Sequence, residues 1–253
     1  MRYVGKRGIA VLAAMAAVSA ALDARAQEPA SPTPPGWSVR VTPYLWAAGL
    51  KGKVASTSLL PPSKVDASFS DIMNHFDFGM MMATEVRYQR YAMILDVMYM
   101  DLGAKESRNG PLVQQLSADL RSWTVTAAAA YRFYEDEKAI TVDGFVGGRF
   151  WSQRQELKAA PLFAVKTTES WVDAIVGATL RIPVGGDFAV RGTFDVGAGG
   201  SDLTWQALGT VQYRSGRMTF EVGYRHLYDK YRNGAFLYKA DMSGPIVGGG
   251  YRF

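Results

Sequence analysis

Apolar and polar residues alternate with a period of two along most of the chain from Trp37 to Phe253. The pattern is clearest in Leu120–Phe133, where Trp123 and Tyr131 fall on one face and Thr124 falls on the other. This alternation predicts β-strands with one apolar face, because a helix would repeat about every 3.6 residues. Such a face must be covered either by a second sheet or by lipid.

Turn residues divide the alternating region into ten segments. This number predicts an all-β fold, a closed antiparallel transmembrane β-barrel of about ten strands, with eight or twelve as alternatives. The predicted strands are Trp37–Leu50, Met80–Tyr88, Tyr91–Leu102, Leu120–Phe133, Ile140–Trp151, Val172–Ile182, Asp187–Ala198, Leu203–Tyr213, Met218–Tyr228 and Phe236–Phe253.

The connections between these strands alternate in length, as they do in outer-membrane barrels. An even number of strands places both ends of the barrel domain on one side, so the short turns are expected to be periplasmic and the long loops extracellular. Only Gly199–Asp202 departs from this alternation. The short turns are Gln89–Arg90, Glu135–Lys138, Val184–Gly186 and Ser215–Gly216, and the long loops are Lys51–Phe78, Ala104–Ser117, Glu156–Thr168 and Asp229–Ala235.

Composition argues against a bundle of membrane helices. Hydrophobic residues make up 48% of the chain, but the mean hydropathy is only −0.05. After the first 26 residues, no apolar run approaches the roughly 20 residues of a membrane-spanning helix. Cysteine is absent, so an exported protein of this sequence would depend on a closed hydrogen-bonded sheet rather than on disulfides.

The first 26 residues have the composition of a cleavable export signal. Arg2, Lys6 and Arg7 precede the apolar stretch Ile9–Leu22, and Ala24–Ala26 has the small-residue spacing of a cleavage site. Residues 1–26 are therefore predicted to be a signal peptide, and the mature chain is predicted to begin at Gln27.

Residues 27–36 contain four prolines and are predicted to form an extended periplasmic leader before the barrel domain, 37–253. Loss of the signal removes four basic residues and one acidic residue, which leaves 24 basic and 22 acidic residues, a net charge of +2. Without a basic run or a basic helical stripe, nucleic acid is not an expected partner.

The last strand carries the most specific local pattern. Gly248 is followed three residues later by Tyr251, and Phe253 falls on the same face as Tyr251. With the segments Pro43–Trp46 and Ser68–Asp71, this pattern resembles the small monomeric outer-membrane β-barrels of Gram-negative bacteria. The resemblance implies an outer-membrane location, lipid as the surrounding partner, and Gly248, Tyr251 and Phe253 as a signal for the barrel assembly machinery.

One short helix is predicted in the first long loop. Ser68 and Asp71 have the spacing of a capping box before Ile72, Met73 and Phe76. Such a helix could pack on the barrel rim or enter the lumen.

The charged residues of the inner face define the candidate site. Their arginines and carboxylates nearly balance, so they could form a salt-bridged lumen that stabilises the barrel, or line a narrow solute path. The predicted network is Arg40, Glu85, Arg87, Asp96, Arg132, Asp143, Arg149, Glu169, Asp173, Arg181, Arg191, Asp195, Arg214, Glu221 and Arg225.

Catalysis and metal binding have little support in the sequence. The two histidines are His75, in the first loop, and His226, with Asp229 close by. Neither has the serine or aspartate spacing of rim hydrolases, and two isolated histidines without cysteine form no ligand motif. No enzyme activity, metal or cofactor is predicted.

These features favour an outer-membrane barrel with a structural or narrow-channel role for small solutes. A barrel that binds ligands or surfaces through its outer loops is the alternative, and a rim hydrolase is a third hypothesis.

Overall fold

The computed structural model describes residues 36–55, 63–67, 71, 76–107, 115–160, 163–234 and 236–253, almost all of them in β-strands. The predicted signal peptide lies outside these residues, as does the leader except for Gly36. The strands are β1 Trp37–Trp46, β2 Gly49–Ala55, β3 Ser63–Ala67, β4 Phe76–Tyr88, β5 Tyr91–Ser107, β6 Gln115–Glu135, β7 Thr141–Ala160, β8 Phe163–Gly185, β9 Phe188–Gly199, β10 Leu203–Ser215, β11 Met218–Asn233 and β12 Phe236–Arg252.

The sheet closes on itself as an antiparallel barrel of ten strands, which confirms the predicted fold class. From β4 to β12 each strand pairs with the next one in the chain, and β1 closes the ring by pairing with both β4 and β12. β1 and β2 lie end to end along β12 and together occupy one position in the ring. β3 pairs with β2 as an additional strand that the sequence did not predict.

The break between β1 and β2 coincides with a proline in the opposite strand. Pro245 has no N–H to donate, so the hydrogen-bond ladder is interrupted there. The Pro245 carbonyl still accepts a hydrogen bond from the Ala47 nitrogen at 2.8 Å. Beside it, a Cβ on Gly244 would lie 2.1 Å from the Ala47 oxygen. Only glycine therefore allows the chain to pass this close at the seam.

The outer wall is apolar, as the alternation predicted. Val146, Val176, Phe194 and Val222 are between 53% and 60% exposed and point away from the lumen. A sheet face of this kind is compatible with hydrocarbon and incompatible with water, because nothing else in the described chain covers it.

Aromatic side chains mark the two edges of this apolar belt. Trp37 packs on Tyr88 at one edge, with 4.8 Å between ring centroids, and Tyr99 packs on Trp123 at the other, with 4.5 Å. Trp123 and Phe133 are ten residues apart on β6, about 33 Å along the strand, and a tilt of roughly 40° reduces this to about 25 Å, the belt height of outer-membrane barrels.

The ends of the barrel differ in their connections. Short turns join β4 to β5, β6 to β7, β8 to β9 and β10 to β11 at the end where β1 begins and β12 stops. We call this the turn end, and the opposite one the loop end. The four short turns lie within a residue or two of their predicted positions.

Several residues predicted as long loops are instead strand. β7 continues to Ala160 and β8 starts at Phe163, so most of Glu156–Thr168 belongs to a hairpin. The same correction applies to parts of Lys51–Phe78, Ala104–Ser117 and Asp229–Ala235. Strand residues beyond the membrane face water on their outer side, so their sequence loses the alternation by which the membrane-spanning residues were identified.

The predicted helix at Ser68–Phe76 is not shown. Apart from Asp71, residues 68–75 lie outside the described residues, and Phe76 is the first residue of strand β4. Within the described ranges, no helix combines the length and apolar character needed to cross a bilayer.

Candidate functional site in the barrel lumen

The inward side chains form three layers along the barrel axis. The central layer, halfway along the barrel, consists of Tyr44, Asp96, Arg149, Asp195, Gln206 and Arg225, with Thr126 and Thr204 around it. The turn-end layer contains most of the other predicted charges. The aromatic layer, nearer the loop end, consists of Trp151, Trp171, Tyr231, Phe236 and Tyr238.

Two arginines hold the central layer together. Arg225 donates hydrogen bonds to Asp96 and to the Tyr44 hydroxyl, both at 2.8 Å, and to Gln206 at 2.8 Å. The Tyr44 hydroxyl in turn donates to Asp96 at 2.6 Å. Trp46 adds a cation–π contact, its ring centroid 5.0 Å from the Arg225 guanidinium carbon.

Arg149 completes this network from the opposite wall. Its guanidinium lies 2.9 Å from Asp195, and it donates to the hydroxyls of Thr126 and Thr204 at 3.1 and 3.2 Å. Gln206 joins the two halves by donating to Asp195 at 3.1 Å. The network therefore runs without interruption from β1 and β5 to β7 and β9.

Three charged residues of the central layer are almost completely buried. Arg149 is 0% exposed, Asp195 1% and Arg225 2%. Removal of one partner from such a pair leaves the other charge buried and costs about 3 to 5 kcal/mol. The layer is therefore a strong constraint on the side-chain arrangement in the lumen.

The turn-end layer has a second group of ion pairs, organised around two carboxylates. Glu85 lies 2.9 Å from Arg40 and 3.0 Å from Arg87. Asp143 accepts hydrogen bonds from Arg87 and from Arg132, the latter at 2.9 Å.

The charges along the lumen do not balance locally, although the inward set as a whole nearly does. Arg181, Arg191 and Arg214 also line the turn end, where Glu221 accepts a hydrogen bond from Gln212 at 2.9 Å. Arginines outnumber carboxylates there. Towards the loop end, the inward acidic residues are Asp173, Asp229 and Glu169.

The rings of the aromatic layer pack against one another across the lumen. Trp171 stacks on Tyr231 with 3.9 Å between ring centroids, and Trp151 lies 6.0 Å from Trp171. Trp151 is 0% exposed. The alternation of β7 and β8 predicts that both tryptophans lie on the inner face. Their contact with each other depends on strand register, which the alternation does not give.

Two buried carboxylates lie next to the aromatic layer, on its turn-end side. Asp173 accepts a hydrogen bond from the backbone nitrogen of Ser201 at 2.7 Å, and so holds the β9–β10 connection rather than pairing with an arginine. Asp229, its electrostatic neighbour, is fully buried. The sequence predicts Asp229 in a loop, because the alternation ends at Tyr228.

His226 belongs to the outer wall. Its ring stacks on Trp205 with 4.4 Å between centroids, and its Nε2 lies 3.5 Å from Asp241. Asp229 lies on the inner face of the same strand, so these two residues form no catalytic pair. His75 lies outside the described residues. Among the residues that the structure describes, no group of three potential metal ligands comes together.

A cavity of about 490 Å³ also lies on the outer wall, away from the lumen network. Its floor is formed by small residues, Ala178, Gly192, Ala207 and Gly209, and Phe194 borders it. These residues face lipid, so the cavity is a feature of the membrane surface.

The predicted assembly residues lie in or next to β12. Gly248 faces the lumen, where a Cβ would be 3.1 Å from the Tyr44 side chain. The Tyr251 hydroxyl accepts a hydrogen bond from Arg217 at 3.5 Å. Phe253 follows the strand and is 43% exposed.

No protein-family model matches the sequence, and no curated protein matches it. Among solved structures the chain is similar to Ail of Yersinia pestis, with 15% identity over 86% of this chain and 99% of that chain and a TM-score of 0.38. It is also similar to Neisserial surface protein A, with 14% identity, 86% and 97% coverage and a TM-score of 0.36. A third similar structure is the transport unit of the autotransporter AIDA-I from Escherichia coli, with 8% identity over 93% of this chain and 97% of that chain and a TM-score of 0.43. The closed antiparallel sheet with its apolar belt gives this chain the architecture of a bacterial outer-membrane β-barrel.

Proposed function

We propose that this protein is a structural outer-membrane barrel whose lumen is closed to solutes. Its long strands at the loop end are available for surface contacts. The observation that carries the proposal is the central layer, in which Arg149, Asp195 and Arg225 are almost completely buried. A barrel of about ten strands has an interior that side chains can fill, whereas wide channels need roughly sixteen.

Conductance across a planar lipid bilayer tests this closure. The purified barrel is expected to give no steady current. The double variant Asp96→Ala with Arg225→Ala removes a charged pair without leaving either partner alone, and is expected to open a water-filled path through the central layer. Val146→Ala, on the lipid-facing wall, is the matched control and should remain silent.

A steady current through the unmodified barrel would contradict the closed-lumen proposal and favour the narrow-channel role. A silent double variant that folds normally would mean that removal of this pair is not sufficient to open the lumen. Adding Trp151→Ala and Trp171→Ala to that variant would then be the decisive comparison.

Surface binding is a second candidate, favoured by the lengths of the strands. β6, β7 and β8 contain 21, 20 and 23 residues, whereas β9 and β10 contain 12 and 13. About ten residues are enough to cross the bilayer. One side of the barrel therefore extends well beyond the membrane as a β-sheet wall, with polar residues such as Arg121, Arg154 and Lys166.

Adhesion of cells that display the barrel tests this candidate. Cells with the full chain are compared with cells carrying a barrel in which residues 157–165 are replaced by Asn-Gly, on immobilised matrix proteins and polysaccharides. Loss of adhesion at equal surface display would support the wall as a binding surface. Equal adhesion by both would remove the β7–β8 hairpin from consideration.

A further inference from the structure

Five arginines of the turn-end layer form an arc around the mouth of the lumen. They are Arg40 on β1, Arg181 on β8, Arg191 on β9, Arg214 on β10 and Arg252 on β12, and we call this set the arginine arc. All five occupy inward positions. Arg181 has Arg40, Arg214 and Arg252 among its electrostatic neighbours.

The strand register places like charges directly opposite each other in this arc. Arg181 pairs across the ladder with Arg191, and Arg40 pairs with Arg252. Like charges at such positions destabilise a sheet. Repulsion between the arginines of the arc therefore lowers the stability of the barrel.

The carboxylates near the arc do not offset this excess. Glu85 lies 2.9 Å from Arg40 and 4.0 Å from Arg191, and Glu221 is held by Gln212. Asp143 is engaged by Arg87 and Arg132. Among the described residues, no Asp or Glu side chain forms an ion pair within 4.0 Å with the remaining three arginines, which are Arg181, Arg214 and Arg252.

The arginine arc lies inside the ring of strands at the turn end rather than on the outer surface of the barrel. The central layer lies between the arc and the loop end. Low-dielectric walls of this shape concentrate the field of the charges that line them. Guanidinium groups are matched in geometry to the oxygens of phosphate and carboxylate.

We propose that the arginine arc binds a small multivalent oxyanion of the phosphate type, which enters from the turn end. The three arginines without an acidic partner, Arg181, Arg214 and Arg252, require more than one negative charge for neutrality, and this favours a polyphosphate over chloride. The site lies on the turn-end side of the central layer, so its occupancy does not depend on whether the barrel conducts.

Thermal unfolding of the full barrel in uncharged detergent, with inorganic tripolyphosphate as the probe, tests the proposal. Tripolyphosphate is expected to raise the unfolding temperature in a saturable way, beyond the effect of sodium chloride at equal ionic strength. In the variant Arg181→Gln with Arg214→Gln, its affinity should fall roughly tenfold for each arginine removed, because each donates charged hydrogen bonds to the anion.

The matched control is Arg90→Gln with Arg217→Gln, which removes two arginines from exposed turns at the same end of the barrel. This variant should retain the affinity of the original protein. Without the anion, the arc variant should unfold at the same temperature as the original or a higher one, because like-charge repulsion is relieved. A lower temperature would mean that these arginines support the fold instead. Equal loss of affinity in both variants, or an effect that sodium chloride reproduces, would overturn the proposal.

Discussion

At the scale of single residues, the glycines of neighbouring strands serve different purposes. A Cβ on Gly223, which faces the lumen from β11, would lie 1.9 Å from the Gly209 oxygen. Gly209 faces lipid from β10, and a Cβ there would meet nothing within 4 Å. The packing of the barrel therefore requires the first glycine and tolerates replacement of the second.

The substitution Gly223→Ala should accordingly destabilise the barrel by about 1 to 3 kcal/mol, the usual cost of forcing a methyl group into packed space. Gly209→Ala should be neutral or should stabilise by up to about 1 kcal/mol, because it restricts the unfolded chain without a clash. Urea unfolding in lipid vesicles measures both free energies. Equal destabilisation by the two substitutions would contradict the contacts described for these strands.

The faces of individual side chains could be predicted from sequence, but their partners could not. The alternation placed Arg149 and Asp195 inside the barrel, because inward and outward positions follow from period two alone. Their pairing joins β7 to β9 across the lumen, and it depends on strand tilt and register, which local sequence does not encode. Tyr44 and Gln206 were missed for the same reason: nothing local marks them as partners of Arg225.

At the scale of elements, β8 shows how depth in the membrane controls tolerance to charge. Val176 faces lipid within the apolar belt and is 55% exposed, whereas Val184, near the turn end of the same strand, is 58% exposed. The two valines thus present similar surface at different depths.

Val176→Arg should cost roughly 2 to 4 kcal/mol, because it places a charge near the middle of the bilayer, and Val184→Arg should cost about 0 to 1 kcal/mol near the interface. Folding free energies in vesicles of one lipid composition provide the comparison. A larger cost at Val184 would mean that the belt is centred elsewhere on β8.

The boundaries of the strands were predicted well at the turn end and poorly at the loop end. The turns after Tyr88 and Ser215 follow directly from the alternation, because the strand stays within the membrane almost to the turn. On the loop-end side of the aromatic edge formed by Tyr99 and Trp123, β7 and β8 have polar residues on the outer face as well. The sequence therefore predicts a loop there, whereas the ladder continues to Ala159 and Phe163.

At the scale of the whole molecule, the lumen and the wall have separable roles. The central and aromatic layers lie within or near the membrane belt and connect strands on opposite sides of the barrel. The extended parts of β6, β7 and β8 contact mainly their ladder neighbours. Stability should therefore depend on the layers far more than on the wall.

Shortening the β7–β8 hairpin at two depths tests this separation. Glu156 pairs with Lys166 above the membrane belt, so replacement of residues 157–165 by Asn-Gly joins them through a two-residue turn suited to a tight hairpin. This barrel should fold with a free energy within about 1 kcal/mol of the original, because the segment lost lies beyond the belt, where surface changes cost little. The deeper cut, with residues 151–171 replaced by Asn-Gly at the pair Phe150 and Val172, removes Trp151 and Trp171 and should abolish folding. Refolding yield and tryptophan fluorescence in detergent distinguish the two variants, and failure of the shorter cut to fold would show that the wall is part of the folding unit rather than an extension of it.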